Sequence, residues 1–483
     1  MVSLNRKLKN MAKPLIIIIC VAFLGGALYI GGTTFFGGRD AYASVATVNG
    51  RPIPLAALER AYYEEAVYYQ MLYGGQLSHT VLDMLRYEAF EGLVNDSLIE
   101  QELDNRSYKP DKAEVQKELD ALVETYGWKT LESYGYTDAE LRTIVTRQLQ
   151  FRQLVADLTG DISISDQAVK DSYEQVQASH ILVRVESDEP EAWDNAKAVA
   201  ERILQELATT DFAEAAQLYS DDSSASAGGD LGYISRGQTV APFEEAAFSL
   251  EVGEVSDLVK TDFGYHIIKV TDKKLAEGEE FEAEKESLLE QLAEKERARI
   301  FSEWLAEQKS NAKIVILDQQ LLAYEHLLKG EYELAVEAYQ KAVKENPSNP
   351  YLYASLGQAY LYLDQLEEAI VQYETAVEHG QNDGYLQLAL ASLYMEAERN
   401  DEAVIAFLRA SELNSSDIFI QMMIRSVLAE LGDEEAVAVV DERIAAIQEM
   451  QSQIDEDATA GESAEDEAAD EALDGTGPDQ AAE

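Results

Sequence analysis

A single cysteine, Cys20, is all the thiol chemistry in this chain of 483 residues, so no intrachain disulfide can form and the fold is indifferent to redox compartment. Basic residues are scarce: 38 Lys and Arg stand against 91 Asp and Glu, a formal net charge of −53. Such a chain is not a nonspecific nucleic-acid binder, and an anionic membrane surface repels it except through a dedicated anchor. Histidine is rarer still, with five in the chain. Neither a His/Cys cluster at metal-ligand spacing nor a nucleophile motif such as G-x-S-x-G occurs, so hydrolase and metalloenzyme readings find no support.

The longest charge-free sequence is at the start. Arg6, Lys7, Lys9 and Lys13 (segment 1–13) precede an apolar run from Pro14 to Phe36, 23 residues without a charge. That run is long enough to span a bilayer, with the basic flank cytoplasmic and the bulk of the chain extracytoplasmic. Ala41-Tyr42-Ala43 has the small-x-small form of a cleavage site, so a removed signal peptide and a secreted or periplasmic product is the alternative. Ile18 and Ile19, not small residues, precede Cys20, which argues against a lipoprotein signal. At the other end, Asp455 to Glu483 holds twelve acidic residues and no Lys or Arg. With few large apolar residues, 452–483 is expected to be a disordered tail. Without its charges the remainder still carries −41, so the folded part is acidic too.

The most informative stretch runs from Ala178 to Val270. It opens on the apolar strand Ser179-His180-Ile181-Leu182-Val183 and closes on Phe263-Gly264-Tyr265-His266-Ile267-Ile268-Lys269-Val270. Two of the five histidines thus sit mid-strand, where burial is costly unless they are partnered. Between the strands, Glu191 to Ala208 spaces Trp193, Ala196, Val199, Ile203 and Leu207 as one helical face. Asp211 is a plausible N-cap with Glu214 three residues on. Ser220 to Gly232 is turn chemistry, in which Gly228, Gly229 and Gly232 permit positive φ. The sum is a small α+β domain with a groove between loop and sheet.

In order and at family spacing, S-H-I-L-V, D-F-A-E-A-A, Y-S-D-D-S-S-A, G-G-D-L-G, P-F-E-E-A-A-F and F-G-Y-H-I-I-K-V resemble the parvulin family of peptidyl-prolyl cis/trans isomerases. The resemblance implies a domain over 176–272 with catalytic His180, Asp222 and His266, and Phe263 completing the polar tetrad positions. The same resemblance implies a proline-ring pocket formed by Leu231, Thr239 and Phe243, with Phe263 beside the substrate. Thr239 replaces the usual methionine, and Phe263 stands where some relatives carry serine. The arginine pair of the phosphate-reading branch is missing: Arg184 is followed by Glu186, Asp188 and Glu189, so phospho-selectivity is not expected. Isomerising an X-Pro bond means crossing a barrier of roughly 20 kcal/mol without breaking a bond, so no cofactor, nucleophile or metal is needed. Binding the twisted amide better than the planar one suffices.

The flanks change the setting. Val45-Ala46-Thr47-Val48-Asn49-Gly50 reads as a strand entering an Asn-Gly turn. Helical runs follow at Leu55–Leu72, Thr80–Leu103, Lys112–Tyr126 and Asp138–Leu158. This region, 44–173, resembles the N-terminal chaperone region of SurA, PrsA and PpiD foldases. The helix Glu282–Gln308 and the strand Ala312–Ile316, within segment 280–316, would then pack back on it, making the isomerase an insert. Tyr62, Tyr63, Tyr68, Tyr69 and Tyr73 would either line a client cradle or fill the core. From Ile316 to residue 451 the chain repeats with period 34: Ala335, Ala369 and Ala403 align, as do Tyr339, Tyr373 and Phe407, Ala342, Ala376 and Ala410, and Leu322, Leu356 and Leu390. That is the tetratricopeptide pattern, and Ile418 to Gln451 reads as a degenerate fourth repeat or cap. From Asp318 to Glu449 there are 25 acidic and 7 basic residues, so a basic or extended partner peptide fits better than an acidic one.

The expected architecture is therefore multidomain: a SurA-like helical chaperone domain, an inserted α+β parvulin domain, then an all-α tetratricopeptide solenoid. The leading expectation is a membrane-anchored extracytoplasmic foldase, isomerising X-Pro bonds in secreted or envelope clients and holding a protein partner on its repeats. The alternative is a non-catalytic holdase or assembly scaffold using the same modules to bind peptide.

Overall fold

A computed structural model describes residues 43–73 and 77–453. The expected membrane or signal segment, Cys20 and the acidic tail lie outside the described residues. Among the described residues no helix is long and apolar enough to cross a membrane.

In chain order the elements begin with a hairpin, β1 (Ser44–Val48) and β2 (Arg51–Pro54), whose turn residues Asn49 and Gly50 both take positive φ, 54° and 85°. Five helices follow: α1 (Leu55–Tyr73), α2 (His79–Arg106), α3 (Lys112–Tyr126), α4 (Trp128–Ser133) and α5 (Asp138–Thr159). Then come α6 (Asp166–Tyr173), β3 (Gln175–Arg184), α7 (Pro190–Glu206), α8 (Phe212–Tyr219), β4 (Asp230–Ser235), α9 (Ala241–Ser249), β5 (Val259–Thr261), β6 (Gly264–Lys274), α10 (Gly278–Asn311) and β7 (Ile314–Ile316). The repeat helices are α11 (Gln319–Leu328), α12 (Tyr332–Glu345), α13 (Pro350–Leu361), α14 (Leu366–His379), α15 (Gly384–Glu396), α16 (Asn400–Leu413) and α17 (Ile418–Glu430), with a further helix over 434–453. The short helices α4 and α6 were not expected from the sequence. Six and eight residues are too few to show a helical period.

The chain divides into two compact units, 1–150 with 307–483 and 151–306. In the first, β7 returns to pair antiparallel with β1, Ala46 opposite Ile316 and Val48 opposite Ile314, in a sheet of order β2-β1-β7. The segment 151–306 is therefore an insertion in a discontinuous domain. In the repeats, Ala335, Ala369 and Ala403 are fully buried. Tyr339, Tyr373 and Phe407 fill the space that these alanines leave.

The second unit holds a four-stranded antiparallel sheet of order β4-β3-β6-β5. One face, through Ile181, Val183 and Ile267, packs on Ala196, Ala200 and Ile203 of α7 and Phe212, Ala215 and Ala216 of α8. Ala200, not Val199, lies in that seam; Val199 is 36% exposed, which corrects the expected helical face by one residue. The other face, through Val176, Ala178, Ile268 and Val270, packs on Phe243 and Ala247 of α9.

Candidate functional site

The register of the two central strands places the histidines together. His180 lies opposite Ile268 and Leu182 opposite His266, so both histidines project from the α9 face as diagonal neighbours. Each is 5% exposed. Their rings stack at 5.4 Å, with Nδ1 to Nδ1 at 3.1 Å. Phe243 presents an edge-to-face contact to both, at 5.5 Å from His180 and 5.4 Å from His266.

The loop after α8 carries Asp222 over this pair, and backbone hydrogen bonds fix it there. Asp221 N–H donates to Leu182 O at 2.8 Å, and Leu182 N–H donates to Ser220 Oγ at 3.1 Å. On the far side of the loop His180 N–H donates to Gly229 O at 2.9 Å. Only glycine permits that approach: Gly229 has φ of 79°, and a Cβ there would lie 2.3 Å from His180 O. Asp222 caps the 3₁₀ turn Ser223–Ala227, accepting from Ser224 N–H at 2.9 Å and Ser224 Oγ at 2.6 Å. Its Oδ1 also stands 3.2 Å from His180 Nε2. The approach is poorly aligned for a hydrogen bond, so this contact is electrostatic in character.

The protons of the chain follow from the carboxylate. Partial burial raises the Asp222 pKa, but the Ser224 hydrogen bonds and His180 outweigh it and hold the carboxyl far below the usual range. Facing an anion, His180 carries its proton on Nε2, which leaves Nδ1 as an acceptor. His266 therefore donates from Nδ1, and its Nε2 accepts. The donor is Thr261, whose hydroxyl lies 2.8 Å from Nε2 and itself accepts Phe263 N–H at 3.2 Å. Burial, then the neighbouring His180, lowers the His266 pKa to about 4, against a weaker upward pull from Asp222. The neutral tautomer is thus the resting state. The result is a directed chain: Phe263 N–H, Thr261, His266, His180, Asp222.

No local motif marks Thr261 in the sequence. It pairs with Gly264 across the tight hairpin joining β5 to β6, while Val259 faces His266. A threonine five residues before a strand histidine was the available signal, and it has force only once that hairpin is known. Phe263 is half exposed, and its ring supplies no polar group to the histidines. The hydroxyl beside His266 comes from Thr261 instead. Leu231 is half-buried in the cluster containing Phe243. Thr239 precedes α9, with its Oγ1 buried and lacking a hydrogen-bond partner. The structure therefore brings His180, His266, Asp222 and Phe243 together and packs Leu231 against the same apolar cluster as Phe243. Among the described residues no group of three or more His, Cys, Asp and Glu could hold a metal ion.

Four sequence families match the chain: a SurA-like N-terminal domain over residues 1–155, a PPIC-type PPIase domain over 164–274, and tetratricopeptide repeats over 323–364 and 385–417. Foldase protein PrsA of Geobacillus sp. (strain WCH70) is 40% identical over 186 residues, which cover 37% of this chain and 62% of that protein. The chain thus spans under two thirds of that relative. Foldase protein PrsA 2 of Bacillus cereus is 36% identical over 231 residues, 46% of this chain and 75% of that protein. A crystal structure of peptidylprolyl isomerase PrsA from Bacillus cereus aligns over 58% of this chain and 96% of its own, at 26% identity and a TM-score of 0.30.

Proposed function

Because the chain belongs to the PrsA foldase family, we propose that it is a parvulin-type peptidyl-prolyl cis/trans isomerase with chaperone activity, anchored outside the cytoplasm by its apolar N-terminal segment. The observation that carries the catalytic part is the directed chain from Thr261 through His266 and His180 to Asp222, roofed by Phe243.

Planarity of the X-Pro amide rests on resonance that puts negative charge on its carbonyl oxygen. A carboxylate locked in its anionic form at the groove opposes that polarisation and favours the twisted state. Asp222 supplies this fixed charge, and the two histidines beneath it hold it in place. His180 and His266 act as positioning residues through Asp222. Phe243 and Leu231 offer the proline ring an apolar seat, with Thr239 and Phe263 at the rim. Nothing is transferred, so the reaction draws on no cofactor.

The holding function has its own support. Tyr63, Tyr68, Met71 and Leu72 of α1 are exposed by 68, 64, 81 and 60%. Tyr62 and Tyr69 are half-buried, and the Tyr62 ring lies under Arg86 at 5.8 Å. The tyrosine run is therefore divided between core and surface, and its exposed part suits an unfolded polypeptide. Secreted or envelope proteins rich in proline are the proposed clients, with a protein partner on the repeats.

The test is a protease-coupled proline peptide assay on the purified chain, beside suppression of aggregation. Asp222→Ala and His266→Ala should each slow isomerisation at least tenfold while leaving aggregation suppression intact. An inactive wild type that still suppresses aggregation identifies the alternative, a non-catalytic holdase; the unsatisfied Thr239 hydroxyl at the proline seat is what favours that reading.

A further inference from the structure

The repeats hold one helix of their own chain, and the manner of holding points to a second seat. Asp83 of α2 is buried and accepts three hydrogen bonds: from Gln320 Nε2 of α11 at 2.7 Å, Tyr339 OH of α12 at 2.9 Å and Ser355 Oγ of α13 at 2.5 Å. One turn either side, His79 Nε2 meets Tyr373 OH at 3.1 Å and the Tyr87 ring packs on Tyr324 at 5.4 Å. His79, Asp83 and Tyr87 are successive i, i+4 positions, so this face of the first two repeats seats a helix.

The 34-residue register carries the same face along the solenoid. Gln320 becomes Ala354, Leu388 and then Met422, while Ser355 becomes Ala389 and then Met423. The register still holds there, since Ile424 is fully buried where Leu356 and Leu390 are. In α17, however, the face is open among the described residues: Phe419 is 81%, Met422 56% and Met423 47% exposed. The three lie at i, i+3 and i+4 on one helix surface, a contiguous apolar patch on an otherwise acidic solenoid. The polar Gln and Ser that match Asp83 have given way to flexible thioethers, which accommodate varied apolar side chains.

We propose that the Phe419–Met422–Met423 face of α17 is a docking site for an amphipathic helix of another protein, with large apolar residues on one side and Lys or Arg at its margins. Continuity with the face that seats α2 argues for a helix. Charge argues for a basic one, because Asp318 to Glu449 has 25 acidic and 7 basic residues. The same charge opposes a second copy of this chain, and opposes the acidic tail, which holds twelve acids and no base. The proposal rests on reading the repeats as a partner-binding module and does not depend on isomerase activity.

The test uses the full chain and a fluorescent 18-residue Leu/Lys amphipathic helix, with a Leu/Glu peptide of the same pattern as control. Anisotropy should show the Leu/Lys peptide binding, and Phe419→Ser/Met422→Ser should weaken it at least tenfold without changing net charge. Hydrogen exchange over 418–430 should slow when the peptide binds the wild type. Unchanged affinity in the double variant overturns the proposal, as does equal binding of the Leu/Glu peptide. Wild-type self-association that the double variant abolishes makes the face a self-interface and overturns it too. Isomerisation measured on the same samples reports separately on the foldase reading: its absence with α17 binding intact removes that reading alone.

Discussion

Thr261→Val isolates the hydroxyl that closes the histidine chain. The substitution keeps the β-branched shape on β5 but removes a donor to His266 Nε2, at 2.8 Å, and an acceptor for Phe263 N–H, at 3.2 Å. His266 is 5% exposed, so water cannot readily replace the donor. Leaving a buried acceptor unsatisfied costs about 1–3 kcal/mol. At about 2–4 °C per kcal/mol for a unit of this size, the isomerase unit should melt roughly 2–12 °C lower. A second effect concerns the proton order. Without the Thr261 hydroxyl, His266 loses its reason to keep Nε2 bare, and the alternative tautomer, protonated on Nε2, turns two bare Nδ1 lone pairs toward each other. Nitrogen-15 chemical shifts of the two imidazoles should report mixed tautomers, and kcat/KM for a proline peptide should fall about tenfold, or about 1.4 kcal/mol. Thr261→Ser should restore both. If Thr261→Val leaves the imidazole shifts and the rate at wild-type values, the directed chain is wrong, whatever happens to the melting temperature.

Other outcomes follow from the same geometry. Gly229→Ala forces a Cβ to 2.3 Å from His180 O at a φ of 79° and should destabilise the inserted unit by at least about 3 kcal/mol, measured by denaturant unfolding. The lowered His266 pKa, about 4, means that the fold favours the neutral ring. Its contribution to stability is fully present above pH 6.5 and is lost as pH falls from there through 4. The isomerisation rate should accordingly stay level from pH 8 to about 5.5, and an NMR titration of His266 should show a midpoint below 5. A midpoint near 6.5 would mean the ring is hydrated and the chain open. Asp83→Ala strands the donors of Gln320 and Tyr339, while Ser355 keeps Tyr351 O as an acceptor, and should cost about 2–5 kcal/mol in the first unit while leaving isomerisation of a short peptide unchanged.

The second repeat helix shows where sequence periodicity stops. In the first three repeats Tyr339, Tyr373 and Phe407 keep the aromatic position, but the fourth places Asp441 there, half-buried and paired with Arg425. The helix over 434–453 buries Ala436, Val440 and Ile447 instead, one residue out of register. A terminal repeat has no successor to pack against, so its outer face is free to become polar.

Sequence by itself determined the order of the modules, the period of 34, the strand histidines and the loop that bears Asp222. Each of these is written in local spacing: apolar alternation, helical period, and glycines where the chain must take positive φ. Only the tertiary structure decided which groups meet. Thr261 joins His266 because a hairpin folds β5 onto β6. Gly229 matters because the loop presses on the His180 backbone. Asp83 is a buried acceptor because helices more than 230 residues further on close around it. Such contacts join residues far apart in the chain, and they form only when burial brings polar groups together that must satisfy one another.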